Sequence, residues 1–261
     1  MILPAREPYD WELVLDWLGT RAIPGLEAVR DGVYTRVGVA IARVDGGIEV
    51  SGDADPAIVA RVFDTGHDPA RLGPDPLFAR APGIRVPGAW SGWELAVRAV
   101  LGQQVSVAGA RRTAQKLVEL LGEDGRFPTP VAVAEGELPG MPAARARALR
   151  ALAEAVAGGL RLDPPLDVPA TRAALLALPG FGPWTVEYVA MRALRDPDAW
   201  PASDLWLRRA VGDLDPDRWR PWRAYAAMVL WQTAESAPLS AERTSRRPPG
   251  RGRRRGRGRR P

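Results

Sequence analysis

The 261-residue sequence contains no cysteine and a single histidine. Without thiols it can form no disulfide, no Cys-ligated zinc or iron–sulfur centre and no thiolate nucleophile. One histidine, His67 in Asp64-Thr-Gly-His-Asp-Pro69, cannot by itself build a His-rich metal site or a Ser/His/Asp relay, and its setting predicts a surface loop residue. No stretch approaches the roughly 18 uninterrupted apolar residues of a membrane span, and Met1-Ile-Leu-Pro-Ala-Arg6 lacks the layout of an export signal. These absences predict a soluble protein of the cytoplasm, without membrane contact, whose acid–base chemistry falls mainly to carboxylates.

What is present is an apolar share of 46%, enough for a real core. The net charge of +5 is unevenly spread: residues 243–261 hold ten arginines and no acid, which leaves 26 basic against 31 acidic residues over 1–242, a body near −5. Basicity is therefore a property of the tail. The Arg/Gly/Pro-rich segment 241–261 cannot bury apolar groups and is expected to be disordered, either a solvated extension or a phosphate-attracting arm.

The rest divides into an α+β part and a helical part. Trp11-Glu-Leu-Val-Leu-Asp-Trp-Leu18 reads as an amphipathic helix, and the β-branched runs Val33–Ala42 and Ile48–Val50 flank the turn Asp45-Gly-Gly47 as a hairpin. This predicts a small α+β unit with an antiparallel sheet over 1–75, then a Pro/Gly-rich linker through Asp68-Pro69, Asp75-Pro76 and Val86-Pro-Gly88. Within the predicted helical domain, 76–240, Ser91-Gly-Trp-Glu94 fits a capping box ahead of a buried helical face, and a second helix runs from Ser106 to Gly122. Further helices are predicted over 143–157, 170–178, 183–194, 205–211 and 221–233, with Pro183 and Pro221 in first turns. There is no internal repeat.

Between two of these helices lies Leu178-Pro-Gly-Phe-Gly-Pro-Trp-Thr185. Gly180 and Gly182 open conformations closed to other residues and allow close approach to the backbone, while the following helix offers unpaired N–H groups and a positive dipole end. A DNA phosphate suits that arrangement, although an ordinary αα turn has the same look. About twenty residues further on stands Asp204, in Trp200-Pro-Ala-Ser-Asp-Leu-Trp-Leu207. It reads as an N-cap of the next helix or as a carboxylate that stabilises positive charge on a sugar.

Together the Gly-x-Gly turn and the distant carboxylate resemble the helix–hairpin–helix DNA glycosylase superfamily. The resemblance extends through Pro8-Tyr-Asp-Trp11, Arg85-Val-Pro-Gly88, Ala99-Val-Leu-Gly-Gln-Gln-Val-Ser-Val107, Phe127-Pro-Thr-Pro130, Gly140-Met-Pro142 and Pro221-Trp-Arg-Ala-Tyr225. In that order they look like the AlkA-type 3-methyladenine DNA glycosylases, over about residues 5–235. The resemblance implies a mostly helical fold, the helix–hairpin–helix glycosylase fold preceded by a small antiparallel-sheet domain.

By the same resemblance Asp204 is the catalytic carboxylate, Trp184, Tyr188 and Trp231 line the base pocket, and Gly180, Gly182 and Thr185 grip a phosphate. Stacking on these rings would favour a cationic alkylated base. Gln103 and Gln104 occupy the turn from which the family inserts a wedge beside a flipped-out base. Gln104 departs from the Leu of the best-known relatives, and a plain polar turn is an equal reading. Relatives hold a monovalent cation on carbonyls corresponding to Leu176, Leu178 and Phe181, and no other cofactor is implied. Trp184 replaces the lysine of members that also cut the backbone, and Lys116 is the chain's only lysine, so base release without strand cleavage is expected. The partner is duplex DNA containing alkylated bases, bound by a monomer at the nucleoid of a bacterial-type cell. Two alternatives stand beside this: a DNA-binding protein without catalysis, and a glycosylase for an oxidised or deaminated base.

Overall fold

The computed structural model describes residues 1–236 except Pro139, and the side chains of residues 1–233 with the same exception. The tail expected at 241–261 lies outside the described residues.

An N-terminal sheet of five antiparallel strands has the order β1 (Ile2–Pro4), β5 (Gly47–Gly52), β4 (Val39–Val44), β3 (Val33–Arg36), β2 (Glu27–Arg30). The expected hairpin around residue 45 is its centre, with Val44 paired to Gly47. The run over 33–42 is two strands rather than one, because Gly38, at φ +75°, turns the chain between them. Strands β1 and β2 carry no strong alternation and gave no signal in the sequence. Gly47 is required where β1 pairs: a Cβ there would stand 2.1 Å from the Leu3 carbonyl oxygen.

Helix α1 (Trp11–Arg21), capped by Asp10 accepting from the Leu13 N–H, and helix α2 (Pro56–Phe63) pack with this sheet through a core that includes Trp11, Ile41, Ile48 and Phe63. The supposed linker is partly helical. Asp55, Asp68 and Asp75 each accept an N–H two residues on, and each is followed by a proline that starts α2, a 3-10 turn (Pro69–Leu72) and α3 (Pro76–Ala79). Asp-Pro here begins helices, because proline presets φ and its missing N–H is unpaired at that position anyway.

The expected surface position of His67 is corrected. The side chain is buried at 8% exposure, its ring stacked 4.0 Å from Tyr225 and edge-on to Trp222. Burial pushes its pKa down to about 4, against the pull of Asp64. Asp64 beside it accepts from the Val86 N–H, the Tyr225 hydroxyl and Arg195, fastening the C-terminal helix to the α+β part.

The remaining helices are α4 (Gly92–Leu101), α5 (Val107–Leu121), α6 (Pro130–Glu135), α7 (Ala143–Ala157), α8 (Val168–Leu176), α9 (Pro183–Arg192), α10 (Leu205–Val211) and α11 (Arg223–Ser236). Helix α4 packs against both α7 and α9, and Val97 of α4, Leu149 and Leu152 of α7 and Val189 of α9 are fully buried in the shared core, each worth about 1.5–3 kcal/mol of apolar transfer. Pro221 lies two residues ahead of α11 rather than in its first turn.

The capping box at Ser91 is half formed: its hydroxyl accepts from the Glu94 N–H at 3.5 Å, while the Glu94 carboxylate pairs with Arg36 of β3 and Arg98 of α4. Glu27 of β2 joins the same two arginines at 2.8 and 2.7 Å. Burial would raise the Glu27 carboxyl, but Arg98 and Arg36 hold it below the ordinary carboxylate range. The buried quartet therefore ties the sheet to α4.

Candidate active site

Asp204 is the N-cap of α10, and its Oδ1 accepts the backbone N–H groups of Trp206 and Leu207, each at 3.0 Å. Two indoles complete the set. Trp184, in the first turn of α9, donates Nε1–H to Oδ2 at 2.9 Å, and Trp231 of α11 donates to Oδ1 at 3.2 Å. Cap and site residue are thus one and the same group. With three donors on Oδ1 and one on Oδ2, the carboxylate is fixed in orientation, and Oδ2 retains a lone pair for a further partner.

Asp204, Trp184, Tyr188, Trp231, Gln103, Gln104, Gly180, Gly182 and Thr185 all line one open cleft of about 1150 Å³. Its aromatic wall is continuous. Trp184 stacks on Tyr188 at 5.2 Å and 11°, Tyr188 leans on Trp231 at 6.3 Å, and Trp231 stacks on Trp17 at 5.6 Å. Trp17 belongs to α1, so the α+β part supplies one side of the pocket. Nothing local in the sequence marks it, since its spacing with Val14 and Leu18 reads as core.

Two arginines that no local pattern in the sequence marks stand beside these rings. The Arg21 guanidinium sits 3.4 Å over the Trp17 ring, and Arg192 lies 5.5 Å from both Trp17 and Tyr188. Arg192 is buried with no carboxylate partner among the described residues, donating to the Tyr188 hydroxyl at 2.8 Å and to the carbonyls of Pro87 and Gly88. Burial alone would raise the Tyr188 phenol, but Arg192 and Arg21 outweigh it and bring it below its ordinary value. Of the three rings expected to stack on a cationic base, Tyr188 already has a guanidinium beside it, and so does Trp17, on which Trp231 stacks.

At the hairpin, Gly180 has φ +81° and Gly182 is the N-cap of α9, with no side chain capping that helix. A Cβ on Gly180 would stand 2.7 Å from Ala148 Cβ, so the turn is pressed against α7. Thr185 is only 2% exposed, and its hydroxyl accepts from Gln103 Nε2 at 2.9 Å, so this side chain is turned into the protein rather than out toward a phosphate. Gln103 is likewise turned inward, whereas Gln104 is exposed at φ +56°. Lys116, exposed on α5, lines a separate groove. Among the described residues no group of three or more His, Asp or Glu could hold a metal ion, and no helix is long and apolar enough to cross a membrane.

Residues 1–68 match the family model described as the AlkA N-terminal domain. Escherichia coli DNA-3-methyladenine glycosylase 2 is 34% identical over 90% of this chain and 98% of its own length. A Mycobacterium tuberculosis protein described as a probable bifunctional transcriptional activator/DNA repair enzyme AlkA is 38% identical over 89% of this chain. The chain spans only 56% of that relative's length. Among solved structures, a 3-methyladenine DNA glycosylase from Archaeoglobus fulgidus superposes with a TM-score of 0.73 over 90% of this chain and 98% of its own, at 20% identity, a likeness of fold.

Proposed function

The chain belongs to the AlkA family of DNA-3-methyladenine glycosylases, and on that premise we propose that it hydrolyses the N-glycosidic bond of alkylated purines in duplex DNA, leaving an abasic site. The observation that carries this reading is the Asp204 carboxylate, held by two indole N–H groups at the edge of an aromatic cleft. As the bond to the base breaks, positive charge develops on the sugar, and a carboxylate already oriented stabilises that charge without reorganisation. The free lone pair on Oδ2 is available to the sugar or to the attacking water. An N-alkylated purine carries its own positive charge into the breaking bond, so it departs neutral and asks little of a general acid. The uncapped first turn of α9 supports a DNA phosphate there.

Trp184 supports hydrolysis without strand cleavage, because an indole engaged with Asp204 cannot form the Schiff base that a lyase needs. The carbonyls of Leu176, Leu178 and Phe181 would hold a monovalent cation: Leu176 ends α8 at its negative pole, and Leu178, just beyond it, accepts the Phe181 N–H at 3.1 Å and keeps one lone pair. Such an ion would supply local positive charge toward the phosphate. In the same reading the protein works as a monomer on the DNA of the nucleoid. A second reading, excision of neutral bases as well, is favoured by Arg21 and Arg192 beside the pocket rings.

The test is Asp204→Asn with methylated duplex DNA. Base release should fall about 10²–10³-fold while the full-length variant still binds DNA. Release at the wild-type rate would remove Asp204 from the chemistry. Wild-type binding with no base released would leave a DNA-binding protein without catalysis, and profiling bases freed from alkylated, oxidised and deaminated DNA separates the lesion classes.

A further inference from the structure

Gln103 and Gln104 are neighbours in the turn between α4 and α5, and they do different things. The Gln103 amide nitrogen has two hydrogens, and both are spent on the hairpin: Nε2 donates to the Gly180 carbonyl at 2.9 Å and to Thr185 Oγ1 at 2.9 Å. These partners lie 77 and 82 residues away in the chain. The backbone carbonyl of Gln103 is held from a third direction, accepting from Arg145 Nη2 at 2.8 Å. Arg145 is on α7, the helix against whose Ala148 the Gly180 turn is pressed. Turn, hairpin and α7 are thus cross-tied around one residue.

Gln104, next in sequence, is exposed with φ +56°. A residue with a Cβ takes that left-handed conformation at a cost and keeps it only where its surroundings leave no alternative. The three hydrogen bonds of Gln103 are that surrounding. A simple connection between two helices would not need a side chain reaching across to the hairpin, nor a strained neighbour held out into the cleft.

We propose that Gln103 is a positioning residue that locks the turn bearing Gln104 to the phosphate-binding hairpin, so that the grip on the DNA backbone and the gap-filling side chain act as one rigid body. This rests on the glycosylase reading above. Gln103 itself then does not enter the DNA, and Gln104 alone fills the space left by a flipped base. The polar wedge, which lacks the stacking power of an apolar one, is compensated by being set in place before DNA arrives. Thr185 belongs to the same lock: it is the buried acceptor that gives the Gln103 amide its direction.

The experiment compares the full chain with Gln103→Ala and with the nearly isosteric Thr185→Val, on two duplexes. One carries a single alkylated purine opposite thymine, the other the same lesion opposite an abasic nucleotide, where no pairing holds the lesion in the stack. Single-turnover base release by Gln103→Ala should slow about ten-fold on the paired duplex and by less than about two-fold on the abasic one. Thr185→Val should move the same way by a smaller factor, and the double variant should be no worse than Gln103→Ala. A 2-aminopurine beside the lesion, which brightens when its neighbour unstacks, reads insertion whether or not a base is released, and Gln103→Ala should slow that brightening about ten-fold. Equal losses on both duplexes, or unchanged brightening, would overturn the proposal. A wild-type protein that brightens the probe but releases no base would instead refute the glycosylase reading and leave the lock standing.

Discussion

Trp231 donates its indole N–H to Oδ1 of Asp204 at 3.2 Å, across 27 residues of chain. The bond joins α11 to the N-terminus of α10, so α11 helps to hold the proposed catalytic carboxylate in place. Replacing Trp231 with Phe keeps a ring in the wall but removes the donor. Hydrogen bonds to charged groups contribute about 1.5–3 kcal/mol, so kcat should fall on the order of 10- to 100-fold, with KM little changed. Single-turnover release of methylated bases measures this, and a variant that keeps wild-type kcat would show the bond to be ornamental.

Trp17→Ala should act on stability and on the pocket together. The side chain is 5% exposed and stacks on Trp231, so its loss should cost about 3–5 kcal/mol and raise KM for every lesion. Trp17→Phe should recover most of both. Urea titration and steady-state kinetics on the pair separate folding from binding.

His67 gives a pH dependence whose sign is fixed by its direction of shift. Its pKa is about 4 in the folded protein and 6.5 unfolded, so between those values the unfolded chain binds the extra proton. The His67 contribution is therefore complete above about pH 6.5 and drains away as the pH falls toward 4. Unfolding free energy measured from pH 7 to pH 4.5 should drop more steeply for the wild type than for His67→Phe, and equal slopes would count against the buried neutral imidazole.

Removing residues 243–261 takes away ten arginines. Affinity for undamaged duplex at low salt should weaken, and the dependence of log K on log salt should flatten, while base release continues. Complete loss of activity on truncation would contradict this.

Much of the helical part was legible because its signals are local. Ser106 and Gly122 bracket α5, and Gly182-Pro183 opens α9, since caps and breakers act within a few residues. Trp184 and Asp204 were legible through the resemblance to a known family rather than through local spacing, and the hydrogen bond between them, across 20 residues, has no signal of its own in the sequence. Trp17, Arg21 and Arg192 were not legible, because each reads as core or surface until the fold brings α1 against α11. His67 reads as a surface residue through its neighbours Gly66 and Asp68-Pro69, which predict a turn, while the packing of Tyr225 and Trp222 buries the ring. Asp68-Pro69 and Asp75-Pro76 were read as breakers when they are helix starts, because the same proline ends one element and begins the next.

The Glu27–Arg36–Glu94–Arg98 quartet has a consequence for how this protein could be shortened. Two of its members sit on the sheet and two on α4, so a cut between the parts would break the Arg36–Glu94 and Arg98–Glu27 bridges and bare on each fragment a pair, Glu27–Arg36 or Glu94–Arg98, that is now shielded by the other. The same cut would carry Trp17 away from Trp231. The sheet is no removable ornament: it is one jaw of the vice, and a minimal catalyst made of helices alone would need a rebuilt α4 surface and a substitute for that ring.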